Sequence, residues 1–495
     1  MTVRRVMGTE TEYAVSAPAV SHANPVQLSF DVIGAAAGPE RSRIRWDYRQ
    51  EDPVNDARGT RLERAAARPD MLTDEPQLNI VNVIAPNGGR MYVDHAHPEY
   101  SAPETTDPFE AVRYDHAGDL LMRRAAASAS AGTGHDIVLH RNNVDGKGAS
   151  WGTHENYMML RSVPFDTVAA LMTAHFVSRQ IYAGSGRVGI GERSETAGYQ
   201  LSQRADYIHA ILGLQTTFER PIVNTRDESH SPSDYRRLHV IVGDANRMDV
   251  PQTLKLGATS MLLWLAEHAD ETGYDLAALL DSMALVDPVS AMHTVSHDLT
   301  LQAELPLRDG GVTNAWIMQV RLRAAVYEMG ALVYGTDTRG EPLWPDKPTT
   351  GIMALWGQAL ADVAAIRHAD DDTRLNMQPE ASRVEWLMKW QLLERLRRRH
   401  GLSWNDPKLR AIDLGWAALD PVRSIFEKVR SRTERTVDDR QVADAAGNAP
   451  QTTRAWLRAA VVNRYASQVV AVSWSHLTVR RHDAPQTGEE SYGNA

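Results

Sequence analysis

The chain reads as an α+β protein built on a mainly antiparallel sheet. Apolar residues recur at helical spacing in several segments: Phe165, Val168, Met172 and Phe176, then Leu254, Ala258, Met261 and Leu265, then Asn314 to Val333 and Arg383 to His400. Short β-rich runs stand between them, at Asp136–Leu139, Leu238–Val242 and Val469–Val479. These runs do not alternate with helices as parallel βαβ units would. The expected layout is a large domain over 1–425, with a curved sheet flanked by helices, and a small C-terminal α/β domain over 426–481. A polar stretch from Asp438 to Gln451, with Gly447 and Pro450, marks the approach to the small domain. That domain is expected to hold a helix at Thr452–Tyr465 and a strand through Trp474, followed by a disordered tail at 482–495.

Size and composition bound the function. A chain of 495 residues with 43% apolar content can bury a sizeable core. With 53 basic against 63 acidic residues, the net charge of −10 disfavours a general nucleic-acid binder, though a local basic groove fits within that total. There is no cysteine, which excludes disulfides, thiolate metal sites and cysteine nucleophiles and suits a reducing cytoplasm. Met1 to Arg5 is not followed by an apolar signal region, and no stretch reaches the charge-free apolar length of a bilayer span. The expectation is a cytoplasmic protein that engages neither nucleic acid nor membrane. The segment Arg41–Glu75 stands apart, with eight basic and eight acidic residues and prolines at 53 and 69. It is expected to be a mobile charged loop near the active site, either a lid or an inert insertion.

Four runs carry candidate chemistry. In Gly8-Thr9-Glu10-Thr11-Glu12-Tyr13, read as a strand, Glu10 and Glu12 share a face. In Arg90-Met91-Tyr92-Val93-Asp94-His95-Ala96-His97-Pro98-Glu99, Arg90, Tyr92 and Asp94 share a face, and Pro98 is expected to bend the chain so that Asp94 and Glu99 turn to one point. Carboxylates gathered on one face repel unless a cation sits between them, and hard oxygen donors suit Mg²⁺. His154, in Trp151-Gly152-Thr153-His154-Glu155-Asn156-Tyr157, is not part of a zincin motif, because Met158 takes the second histidine's place. In Tyr235-Arg236-Arg237-Leu238-His239, Arg237 and His239 project together, as a phosphate–metal complex requires. Arg204 and Arg226 are further cations for an anionic substrate, or else structural ion pairs. Gly184-Ser185-Gly186-Arg187-Val188-Gly189 matches a dinucleotide fingerprint but follows a helical pattern with no helix after it, so it reads as a flexible loop. No phosphate-binding P-loop is present, so a nucleotide must be held by metal and arginines on a sheet.

These motifs, an E-x-E on an early strand, a distant H-E-N-Y and an R-x-H on a late strand, resemble the glutamine synthetase-like carboxylate–amine ligase superfamily. Within it the chain is similar to the enzymes acting on the prokaryotic ubiquitin-like protein Pup, a ligase and a deamidase/depupylase. The run from Tyr92 to Glu104, the run from Asn142 to Ser150 and the charged segment resemble the deamidase form. The resemblance implies a glutamine synthetase-like large domain and a hydrolase that deamidates Pup's C-terminal glutamine. It also implies cleavage of the isopeptide bond joining Pup to target lysines, the alternative being the ligase that makes that bond. It implies Mg²⁺ and ATP, or ADP and phosphate, as cofactor, and Pup and pupylated proteins as partners. By position it makes Asp94 catalytic and Glu10, Tyr92, Glu99, His154 and His239 metal-site residues. Arg90 and Arg237 fall on phosphate contacts and Trp474 on the cover of the adenine. Arg204 and Arg226 remain the substrate-side cations.

Overall fold

Six strands form the central sheet, each antiparallel to its neighbours, in the spatial order Tyr235–Val240, Thr153–Leu160, Met7–Glu12, His97–Ser101, Arg90–Asp94 and Asn82–Ile84. The computed structural model describes residues 3–63, 65, 82–228 and 230–480 and the backbone of 489–493. Strand alternation sorts the side chains into two faces. Met7, Thr9, Thr11, Met91, Val93, Tyr100, Tyr157, Leu238 and Val240 are buried, against helices that include Pro25–Arg41, Pro108–Thr133 and Asp249–Thr272. Thr9 and Thr11 donate hydrogen bonds to Asp115 of the second helix at 2.9 and 3.3 Å, and Arg141 neutralises that buried carboxylate at 2.6 Å. The opposite face carries the charged partners in the alternation.

The predicted helices form at Phe165–Ser178, Asp249–Thr272, Ala315–Tyr334 and Glu385–His400. Leu254, Ala258, Met261 and Leu265 are almost wholly buried, as their spacing requires. The helix Lys347–His368 is long and apolar enough by length and composition to cross a membrane, although Asp362 keeps it from being the charge-free stretch whose absence was expected. Its apolar side is committed elsewhere, because Ile352, Met353, Trp356, Val363 and Ile366 lie in the main core.

Several expectations are corrected. Residues 90–99 are not one strand bent at Pro98. They form a hairpin that turns at His95-Ala96, while Pro98 sits inside a strand with its carbonyl accepting from the Tyr13 amide at 2.9 Å. The glycine run at 184–189 is a tight buried passage: a β-carbon on Gly184 would stand 2.3 Å from the Leu201 carbonyl, and Arg187–Ile190 is a strand. The boundary at 426 also moves. Phe426, Val437, Ala445 and Ala446 pack into the large domain's cores, whereas a separate core forms from Val462, Val469, Val472 and Leu477 with Ile44, Trp46 and Ile84. Trp474 lies in the turn between the strands Val469–Val472 and His476–Arg480, where the Ser473 hydroxyl accepts from the His476 amide at 3.0 Å. Within the tail expected to be disordered, Glu489–Gly493 adds an antiparallel strand to this small sheet, which main-chain pairing permits whatever the polarity of the side chains; 482–488 and 494–495 lie outside the described residues.

The charged segment is anchored over its described part. Arg45–Trp46 forms a short strand parallel to Val472, and Ala57 and Asn55 exchange main-chain hydrogen bonds with Thr225 and Asp227 at 2.8 and 2.9 Å. Residues 64 and 66–75 lie outside the described residues. Its balanced charges hid the anchor, since Ile44 and Trp46 are its only large apolar residues before Val54 and both are buried. Trp46→Ala is expected to cost about 3–5 kcal/mol, as truncation of a buried aromatic does, read as a fall in the chemical-denaturation midpoint.

Candidate active site

All eleven residues singled out in the sequence line one cavity of about 340 Å³ on the open face of the sheet: Glu10, Arg90, Tyr92, Asp94, Glu99, His154, Arg204, Arg226, Arg237, His239 and Trp474. Cross-strand register builds it. Glu10 lies opposite His154 on one side and Ser101 on the other, and Glu12 faces Glu99, which faces Tyr92. Two sets of donors come within 4.8 Å of one another: Glu10, His154 and His239, and Glu12, Glu99 and His154. Glu12 thus belongs to the site although only Glu10 was carried forward from the sequence; the E-x-E alternation was the signal that could have found it.

The electrostatics of the cluster ask for a cation. Burial, then repulsion from Asp94, Glu12 and Glu10, pushes the Glu99 carboxyl well above its ordinary range. Against its own burial, Glu12 is held down to about 2, chiefly by His154 at 3.3 Å. Burial, with Arg237 nearby, pushes His239 well below its ordinary value, so its imidazole is neutral and able to donate a lone pair. His154 Nδ1 is buried without a hydrogen-bond partner among the described residues. Carboxylate oxygens and imidazole nitrogens, one of them without a hydrogen-bond partner, fit a divalent cation. Tyr92 is a half-buried phenol whose hydroxyl bonds Glu99 and whose pKa desolvation raises far above its ordinary value, so it stands at the site as a neutral group.

The arginines are held in place before any ligand arrives. Arg90 lies with its guanidinium carbon 4.0 Å from the ring centres of both Trp46 and Tyr92, and donates to Asn82 at 2.6 Å and Tyr48 at 3.2 Å. Arg237 donates to Asn156 at 2.9 Å and to Glu228 at 3.2 Å, while Asn156 also donates to Glu10 at 3.1 Å. Asn156 therefore ties the Arg237 guanidinium to the Glu10 carboxylate. Arg226 approaches Glu228 at 3.8 Å. Arg204 is wholly buried in the cavity wall; it donates to the Ser150 hydroxyl and to the carbonyls of Trp151 and Ile241 at 2.7–2.9 Å. Burial, then Arg220, lowers its pKa to about 9, which leaves it charged at neutral pH. Its terminal nitrogens hold the loop after Ser150, so Arg204 shapes the wall as well as its charge. Tyr48, Glu51, Arg220 and Glu228 also line the cavity. Glu51 and Glu228 lie in loops, Tyr48 in a single helical turn and Arg220 at the start of the short strand Arg220–Asn224, and no sequence signal marked any of them.

Trp474 stands between this cavity and a neighbouring one of about 780 Å³, which Glu10, Ser101, His230 and Arg237 also border and which Trp456 and Leu457 help to line. The arrangement offers a polar, cationic end joined to a larger apolar one, the shape a nucleotide needs. Asp94 lies at the hairpin tip beside the polar end, with 39% of its side chain exposed.

An antiparallel sheet bearing acids, imidazoles and arginines on one open face, with helices behind it, defines a glutamine synthetase-like catalytic fold. The sequence profile described as Pup-ligase protein matches residues 5–478. The chain is 41% identical over 480 residues to the Pup deamidase/depupylase of Mycolicibacterium smegmatis, covering 95% of this chain and 91% of that one. It superposes with a TM-score of 0.76 and 26% identity on the ligase PafA in its crystal structure with Pup, covering 99% of this chain and 88% of that one. Against PafA in complex with ADP the TM-score is 0.69 at 28% identity, covering 83% and 85%. The chain belongs to the Pup-ligase protein family.

Proposed function

We propose that this chain is a cytoplasmic amidohydrolase acting on Pup. It deamidates a C-terminal glutamine of Pup to glutamate, and it cleaves the isopeptide bond between Pup's C-terminal glutamate and target lysines. The observation that carries this reading is the 41% identity to a Pup deamidase/depupylase over nearly the whole of both chains. Pup and pupylated proteins are then its partners, and neither nucleic acid nor membrane is.

The cofactor is Mg²⁺ with ATP, or with ADP and phosphate. Glu10, Glu12, Glu99, His154 and His239 would hold the metal, Arg90 and Arg237 the phosphates, and Trp474 the base. When bound, the metal would supply positive charge beside the substrate carbonyl, and the phosphates would help to orient it. Amide hydrolysis runs downhill, so the nucleotide is not needed as an energy source. Both substrates present the same γ-carbonyl and differ only in the leaving amine, ammonia or a lysine side chain. The oxygen of water ends on the carbonyl carbon, the C–N bond breaks and the departing nitrogen takes a proton. Asp94 serves either as nucleophile, through an anhydride that water opens, or as the base that takes a proton from water. Both roles need an ionised carboxylate with access to the substrate, which its half-exposed place at the cavity mouth allows.

The alternative is a ligase that joins Pup's terminal glutamate to lysine, since the metal and nucleotide residues would serve it equally. Incubation with glutamine-terminated Pup, ATP and Mg²⁺ separates the two. Hydrolysis is expected to raise the mass of Pup by about one dalton, the difference between amide and acid. Unchanged Pup here, together with conjugation of glutamate-terminated Pup to lysine, would favour the ligase.

A further inference from the structure

We propose that His95 is a positioning residue for Asp94, an inference that rests on Asp94 being the reacting carboxylate. The two residues adjoin at the tip of the hairpin Arg90–Asp94/His97–Ser101, and His95 Nδ1 lies 2.8 Å from Asp94 Oδ1. A carboxylate oxygen only accepts, so Nδ1 carries the hydrogen. The contact takes up one carboxylate oxygen and leaves the other for chemistry.

The backbone around this pair is fixed. The Ala96 carbonyl accepts from the hydroxyl of Ser29, a fully buried residue of the helix Pro25–Arg41, at 2.9 Å. Two residues further on, the Pro98 carbonyl accepts from the Tyr13 amide at 2.9 Å. What stays free is the Asp94 side chain, which could rotate out to water at this exposed edge. Fixing its rotamer is worth rate, because a displaced nucleophile or base meets the carbonyl less often.

His95 also has a φ of +52°, a backbone conformation that a residue with a β-carbon enters at a cost. Glycine would serve the turn with less strain and asparagine nearly as well. The turn alone therefore does not call for histidine, whereas the hydrogen bond to Asp94 calls for a side-chain N–H.

The strain makes the test clean. His95→Gly removes the imidazole and eases the backbone, so its melting temperature is expected to equal or exceed wild type. Its kcat for deamidating glutamine-terminated Pup is expected to fall about tenfold, with KM and ADP affinity unchanged. His95→Asn places an amide N–H as many bonds from the backbone as Nδ1 and tolerates the same φ. It is expected to recover kcat to within about threefold of wild type. Wild-type turnover by His95→Gly, or an asparagine variant as slow as the glycine one, would overturn the inference. Asp94→Asn measured alongside keeps the two claims apart. If that variant stays active, the reading of Asp94 fails; if it is inactive while His95→Gly runs at full rate, only the positioning role fails.

Discussion

Replacing Asp94 with asparagine is expected to stop both deamidation and depupylation, lowering kcat by about a thousandfold or more, as loss of a nucleophile or essential base does. Nucleotide affinity is expected to stay within about twofold of wild type. The geometry separates the two effects. Asp94 belongs to neither donor set that gathers around His154, and its own close partner is His95. Asparagine keeps the size of the side chain and the hairpin. The Pup mass assay reads the first half of the prediction and an ADP titration the second. Near-normal turnover in the variant would remove Asp94 from the chemistry.

Glu99→Gln is expected to make the ligand-free protein more stable and the enzyme inactive. Glu99 is buried among Asp94, Glu12 and Glu10, and its folded pKa lies well above the ordinary value of 4.5. The folded state therefore holds this proton more tightly than the unfolded chain does. Its contribution is fully present below pH 4.5 and is lost as pH rises through the folded pKa, because burial of the ionised form without a cation is unfavourable. Glutamine removes that loss. At pH 7.5 without metal the variant should melt about one to three degrees above wild type, while the two converge near pH 4. Adding Mg²⁺ and ADP should raise the wild-type melting temperature by several degrees and the variant's by much less, since binding stabilises only through the affinity that remains. A variant less stable than wild type in metal-free buffer at pH 7.5 would mean that Glu99 is held by partners already in the chain and not by a cation.

The legible part of the site lay on strands. Period-two alternation placed Glu10 with Glu12, Arg90 with Tyr92 and Asp94, and Arg237 with His239, and the sheet keeps each grouping on the open face. Helices announced themselves through apolar spacing, as at Leu254 to Leu265. The illegible part lay where contacts depend on distant segments. Glu228 meets Arg237 from a loop, Arg220 sits at the start of a short buried strand, and neither position has a pattern around it. Trp46 was hidden by sixteen surrounding charges, though it packs edge-on against Trp474 with ring centres 5.1 Å apart. Local composition described that segment's solubility correctly and its attachment incorrectly, because one buried indole outweighs many solvated charges.

The parallel pairing of Arg45–Trp46 with Ala471 and Val472 has a consequence for how the enzyme is made. During translation the chain emerges from its amino end, yet one of the two rings enclosing Arg90 is anchored by Ala471 and Val472, which are made long after it. Much of the large helical core can settle earlier, so a growing polypeptide carries its acids and imidazoles for many seconds before the aromatic cradle around Arg90 closes. The ring of Trp46 is thus seated against Arg90 only once Ala471 and Val472 have been made, and termination upstream of Ala471 should release an idle product.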